Sequence, residues 1–238
     1  TQESTIVKVG NTSYYGPELK GFVQEKTSAL YYKTNTDGTL NENVKATSNL
    51  KEAVFINEEI PSDHTLAGFS IRKWAGYERY SPIIAQAADY IEEKYNVKSV
   101  FVPLHFPSDL SVAEDIASKM KHTPFIIRNM YDIDKTLGII KKLDMVLGMR
   151  LHALIYAVSL SVPVIGLIYD PKVQGFLEYV GQPSAGNVAN LEFENLKQLI
   201  DKVWNNRETI SRQLEENNNL LKRKAYENAE IAVRLLQE

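Results

Sequence analysis

Residues 143–175 read LDMVLGMRLHALIYAVSLSVPVIGLIYDPKVQG. Two short apolar runs, 145–147 and 162–168, flank a helical pattern over 151–160. Short apolar runs bounded by turn residues suit buried strands, and the longer periodic segment between them suits a helix. Each run ends in charged chemistry. Gly148-Met149-Arg150-Leu151-His152 follows the first, and Tyr169-Asp170-Pro171-Lys172 follows the second. The stretch is therefore a strand–helix–strand unit with reactive side chains at the carboxyl ends of its strands. Open α/β sheets bind ligands at that edge.

The same alternation extends outward. Strands are predicted over 66–71, 99–102 and 125–127. Helices are predicted over 80–95, with Pro82 near the first turn where proline is tolerated, and from Ser108 or Asp109, either of which can cap N–H groups, through Lys121. A third helix covers 132–142, its acidic first turn favoured by the helix dipole. After the central unit come helices over 174–180, stopped by Gly181, over 191–205, and over 207–237, the last interrupted at 217–219. That last helix packs back across the domain or meets another lobe. Strands and helices in alternation predict an α/β fold, a Rossmann-type parallel sheet covered on both faces. Continuously apolar strands agree with burial on both sides.

The first 60 residues read differently. Strands are expected over 5–9 and 30–34, turn residues crowd 11–17, and 34–50 is polar with an Asp37-Gly38 turn. No complete α/β domain fits there. The expected organisation is a short or truncated N-terminal lobe over 1–60, a Rossmann-like lobe over 61–206 and a C-terminal helix over 207–238.

Composition sets bounds. The chain has 238 residues, 44% hydrophobic and 24% charged, which suits a globular protein. A net charge of −3 and a pI of 5.9 lack the basic footprint of a nucleic-acid protein. With no cysteine, disulfides and thiolate metal sites are excluded. No apolar run approaches the roughly 18 residues of a membrane span, and no signal peptide opens the sequence, which starts at Thr1 as a processed or trimmed chain would. A cytoplasmic protein is expected.

Candidate site residues lie at the strand ends. Arg150 in the turn and His152 in the first helical turn can face one site, where exposed N–H groups favour an anion and arginine offers a fork for carboxylate or phosphate. Histidine exchanges protons near neutral pH. A helix-capping arginine and a packed histidine are the bland alternative. Lys172 is a compact cation after the next strand, or a surface lysine. Asp170 is an N-cap or a partner for a sugar hydroxyl. Arg72 follows the 66–71 strand as a second anion clamp or a solvated charge, and His105 follows 99–102. His64 and His122 occupy no strand end of this kind. The histidines show no metal spacing, and neither a dinucleotide fingerprint nor a P-loop occurs. Two arginines, a lysine and one or two histidines suit a small ligand that carries carboxylate and phosphate.

Gly148-Met149-Arg150-Leu151-His152-Ala153-Leu154, with Pro163-Val164-Ile165-Gly166-Leu167-Ile168-Tyr169-Asp170-Pro171-Lys172-Val173, closely resembles the polysaccharide pyruvyl transferases, above all the bacterial cell-wall type that modifies the polymer anchoring S-layer proteins. Gly68-Phe69-Ser70-Ile71-Arg72-Lys73-Trp74 and the loop from Pro103 to Asp109 share the likeness, which covers roughly residues 60–185. The resemblance implies a GT-B-like fold with the donor held mainly by the C-terminal lobe. It implies transfer from phosphoenolpyruvate (PEP), a co-substrate with no cofactor beside it, to a β-linked N-acetylmannosamine of a lipid-linked polymer, giving a 4,6-pyruvate ketal and phosphate. On that reading His152 and Arg150 are catalytic, and Arg72, Lys172, Asp170, His105 and Asp109 bind substrate, with His105, Asp109 or Asp170 as base. The lipid-linked acceptor implies work at the inner face of the membrane without insertion. A glycine-rich acceptor loop, usual in the family, has only a faint echo at 11–16. The alternatives are a GT-B sugar-nucleotide enzyme, glycosyltransferase or epimerase, and a non-catalytic glycan-binding lobe.

Overall fold

A computed structural model of the chain describes residues 6–9, 12–15, 22–25, 31–33, 60 and 64–235. The chain divides into two compact units, one made of 1–64 with 131–139, the other of 65–130 with 140–238.

In the first unit β1 (Ile6–Val9), β2 (Thr12–Tyr15), β3 (Phe22–Glu25) and β4 (Tyr31–Lys33) form an antiparallel meander. Strands were expected near β1 and β4, whereas β2 falls in the stretch read as turns. Thr12, Tyr14 and Tyr15 are β-branched or aromatic and favour a pleated strand, and they pair with β1 from Ile6↔Tyr15 to Val9↔Thr12. The polar segment 34–50 and its expected turn lie outside the described residues.

The second unit is built on a six-stranded sheet, wholly parallel in its pairings. Its strands are β5 (Leu66–Ser70), β6 (Lys98–Phe101), β7 (Phe125–Ile126), β8 (Met145–Gly148), β9 (Val164–Ile168) and β10 (Ser184–Asn187). The spatial order is β10-β9-β8-β5-β6-β7. The order reverses between β5 and β8, and their carboxyl ends open the crevice characteristic of doubly wound sheets. Among the described residues the α-helices are α1 (Tyr77–Tyr95), α2 (Ser108–Ala117), α3 (Ile133–Ile140), α4 (Leu151–Ser159), α5 (Pro171–Val180), α6 (Phe193–Asn205) and α7 (Arg207–Leu235), of which α3 falls almost wholly in the first unit.

Strand alternation sorts the faces. Ala67, Phe69, Met145, Leu147, Ile165 and Leu167 enter a core shared with α1 and α6. Gly166 points the other way, where Leu177 of α5 packs so closely that an added Cβ would lie 2.1 Å from its Cδ1. Gly181 ends α5 with φ +65, a left-handed backbone that glycine adopts without strain.

Three local expectations need correction. Helix α1 begins at Tyr77, so Pro82 stands inside it and removes a backbone hydrogen bond rather than occupying the first turn. Helix α2 has no side-chain cap. Asp109 turns back to accept from the amides of Leu104 and His105. Helix α7 runs unbroken through 217–219, because Asn218 faces inward and donates to the carbonyl of Val158 at 2.7 Å, near the end of α4. Strand β10 went unanticipated. Ser184-Ala185-Gly186-Asn187 lacks an apolar run, and it pairs only along the sheet edge with β9.

Candidate active site

The crevice is built from the residues that follow β5, β6, β8 and β9. Backbone ties close its floor: Met149 N–H donates to the Ser70 carbonyl at 2.9 Å, and Ser70 Oγ donates to the Val102 carbonyl at 2.9 Å. Arg150 is the N-cap of α4 in an extended conformation, with no side-chain cap bond to the helix amides. His152 is the second helical residue, exposed, with its ring 6.1 Å from that of Tyr156.

The Arg150 guanidinium is not turned freely into solvent. Its Nε donates to Asp109 Oδ2 at 2.9 Å and its Nη2 to Asp109 Oδ1, a bidentate fork. Asp109 is 2% exposed and also accepts from the amides of Leu104 and His105. One carboxylate thus ties the loop after β6 to the turn after β8. His105 is exposed, its Nδ1 2.8 Å from Ser108 Oγ.

Arg72 has a different setting. Its guanidinium lies 4.8 Å from the ring centre of Trp74 and 4.8 Å from that of Tyr169. The rings meet edge to face at 5.1 Å. Cation–π attraction holds the charge without neutralising it, and Arg72 Nε is buried with no hydrogen-bond partner. The backbone beside it is pinned by Tyr80, whose hydroxyl donates to the Arg72 carbonyl at 2.7 Å and accepts from Trp74 N–H at 2.9 Å. Arg72 is thus a preorganised cation with an unsatisfied donor at the reversal point of the sheet.

Asp170 is the N-cap of α5, accepting from Lys172 N–H at 3.0 Å, with its other oxygen 3.7 Å from Lys172 Nζ. Lys172 is exposed. Six of the seven residues singled out from the sequence thus form three groups at one sheet edge: Arg150 with Asp109 and His105, Arg72 between its rings, and Asp170 with Lys172. His152 stands at the α4 terminus. Sequence reasoning missed Trp74, Tyr169 and Tyr80. The signal was present, since Trp74 and Tyr169 sit within a few residues of predicted strand ends, but the neighbouring charges alone were read for chemistry. Among the described residues no cluster of three or more His, Asp or Glu is arranged to hold a metal ion, and no helix is long and apolar enough to cross a membrane.

A cavity of about 670 Å³ lies at the opposite edge of the sheet. Lys141, Arg207 and Arg212 on its walls are matched by Asp144, Glu208 and Glu215, so it favours no anion. The crevice instead holds the unpartnered Arg72 Nε and an α4 terminus that its N-cap side chain does not cap.

Burial pushes the Tyr80 phenol up from its usual 10.0 to about 12, against smaller opposing effects of the Trp74 amide and the Arg72 charge. A raised phenol pKa contributes stability that is full below the unfolded value and lost as pH climbs through the folded one. Thermal stability is therefore expected to fall between about pH 10 and 12. Tyr80→Phe should flatten part of that fall and lose about 1–2 kcal/mol at neutral pH, since two hydrogen bonds go. Melting curves across that pH window check it; an unchanged alkaline profile refutes it.

No curated protein matches the sequence. Among solved structures, UDP-GlcNAc 2-epimerase from Neisseria meningitidis is similar at 12% identity and a TM-score of 0.51, covering 75% of this chain and 49% of its own. A glycosyl transferase family 9 protein from Veillonella parvula is similar at 12% identity and TM-score 0.50, covering 65% of this chain and 50% of its own. The chain thus spans about half the length of these proteins. The C-terminal domain of a group 1 glycosyl transferase from Francisella tularensis, at 14% identity and TM-score 0.50, is covered over 94% of its length by 75% of this chain. These likenesses establish a GT-B-type α/β fold and nothing about substrate. The profile of the polysaccharide pyruvyl transferases matches residues 49–171, from ahead of β5 through Arg72, Asp109, Arg150 and His152 to the start of α5. With more than half of its length in that match, the chain belongs to the polysaccharide pyruvyl transferase family.

Proposed function

We propose that the chain moves the enolpyruvyl unit of PEP onto a sugar of a cell-wall polymer, closing a 4,6-pyruvate ketal and releasing phosphate. The observation that carries this reading is Arg72, a cation held between two rings with a buried, unpartnered Nε. It stands at the sheet's reversal point, as does the α4 terminus, whose amides no side chain caps. PEP brings a carboxylate and a phosphate, the two anions that such a cation and such amides favour. Lys172 supplies a further cation to the same edge.

In this mechanism His152 protonates the methylene carbon of PEP, and C2 becomes electrophilic. A helix N-terminus disfavours the imidazolium, and the bound anion offsets that. A sugar hydroxyl adds to C2 and gives its proton to a base, for which exposed His105 and the outer oxygen of Asp170 are candidates. A second hydroxyl of the same sugar then displaces phosphate from C2, breaking the C–O bond, and loses its own proton. PEP and a diol become a ketal and phosphate, with no change in oxidation level. Arg150 takes part by holding the α4 turn in place, its fork being occupied by Asp109. A lipid-linked β-N-acetylmannosamine is the proposed acceptor, which places the work beside the inner face of a membrane.

A sugar-nucleotide enzyme is the second reading, favoured by the fold likeness to a UDP-GlcNAc 2-epimerase. Ligand linkage separates the two. Saturating PEP should stabilise the chain by about 2.7 kcal/mol at one hundred times its dissociation constant, and UDP-GlcNAc should leave its melting unchanged; the reverse result supports the epimerase-like reading. His152→Ala should keep the PEP-induced shift while phosphate release falls by about 10²–10⁴-fold, the range of a general acid. Wild-type turnover in that variant would remove His152 from the mechanism.

A further inference from the structure

Trp74 presents more than Arg72 uses. The guanidinium lies 4.8 Å from the centre of the indole and Tyr169 meets the indole edge to face, yet the residue remains 44% exposed. Its backbone is fixed at both polar groups: the amide donates to Tyr80 Oη at 2.9 Å, and the carbonyl accepts from Tyr77 N–H at 3.1 Å. A large aromatic held open and rigid beside a proposed reaction centre is a prepared contact surface, because little conformational entropy remains to be lost on binding.

We propose that the exposed indole of Trp74, edged by Tyr169, is the platform for the acceptor's pyranose ring. This rests on the donor reading above and adds the acceptor side to the same crevice. The chemistry asks for such a surface. Both attacking hydroxyls must come from one sugar ring, so that ring must lie over the donor carbon. An apolar C–H face laid on an aromatic ring orients the sugar without needing charge. It also shuts water away from an electrophilic C2 that water would otherwise attack. Asp170 adjoins Tyr169 in the chain; one of its oxygens serves the α5 cap, and the other lies 3.7 Å from Lys172 Nζ, where it can accept from a sugar hydroxyl. The acceptor class is therefore a neutral pyranose with an unsubstituted C–H face. A nucleobase could stack on the same ring, and the experiment separates the two.

The chain has two tryptophans, and the other, Trp204, is 6% exposed. Acrylamide quenching of tryptophan fluorescence in the full chain therefore reports chiefly on Trp74. Methyl β-N-acetylmannosaminide should protect the quenchable fraction, and neither PEP alone nor uridine should do so. Trp74→Phe, which keeps a ring against Arg72 but shrinks the platform, should raise the glycoside KM by about three- to tenfold and change the PEP KM by less. Equal protection by uridine or by PEP alone overturns the proposal, as does a saturating glycoside that leaves quenching unchanged. If PEP gives no thermal shift the donor reading fails, while the glycoside quenching arm still decides the platform.

Discussion

Arg72→Ala is expected to lower PEP-dependent phosphate release by about 10²–10³-fold, the loss found when one preorganised donor to a developing anion is removed. The thermal shift given by PEP should vanish with it. The fold should survive, because Arg72 makes ring contacts but its Nε has no hydrogen-bond partner to orphan. Arg72→Lys should fail to rescue. An ammonium lacks the planar fork and is more strongly hydrated, so it loses both the stacking between Trp74 and Tyr169 and the bidentate reach. Steady-state phosphate release and PEP titration of the melting temperature check both variants together. Retained turnover in Arg72→Ala would move the anion site to Lys172 and the α4 amides.

Asp109→Ala is the change expected to harm folding most. Asp109 is 2% exposed and answers four donors: two from Arg150 and the amides of Leu104 and His105. Removing it strands a largely buried guanidinium, a defect that typically costs about 3–5 kcal/mol. Arg150→Met alone should cost less, since the carboxylate keeps its two amides. The pair Asp109→Leu with Arg150→Met should recover much of the loss, because replacing both partners leaves no buried charge. Urea midpoints for the parent, Asp109→Leu, Arg150→Met and the double variant form a cycle that isolates the coupling. Additive effects would show that the fork contributes nothing beyond its separate parts.

What the sequence disclosed follows from where physical signals are local. The strands β8 and β9 were legible because burial on both faces makes each one continuously apolar, and β5 and β6 because each still carries an apolar run, Leu66–Phe69 and Val100–Val102. The adjoining charges marked the candidate site's edge for the same reason, since they follow those runs closely at Arg72, His105, Arg150 and Lys172. Pairings between distant residues left no such trace. Arg150 read as a free anion clamp, because nothing in its neighbourhood reveals that Asp109, 41 positions earlier, takes up its fork. Asp109 read as a helix cap because a carboxylate at a helix start usually is one. Asn218 read as a helix interruption, for asparagine favours turns; its bond to Val158, 60 positions away, is what keeps it helical. Strand β10 was hidden by the opposite problem. An edge strand with exposed ends needs no apolar pattern.

Helix α7 also decides where this protein can be cut. Leu214 is 1% exposed, Ser211 Oγ donates to the Ser161 carbonyl at 2.5 Å, and Asn218 serves the carbonyl of Val158. The first turns of the tail are thus the lid on the far end of the helix that carries His152. A boundary placed at 206, where α6 ends, would leave an α/β body with an open apolar seam and unanswered carbonyls under α4. A boundary drawn within this tail therefore belongs beyond Asn218.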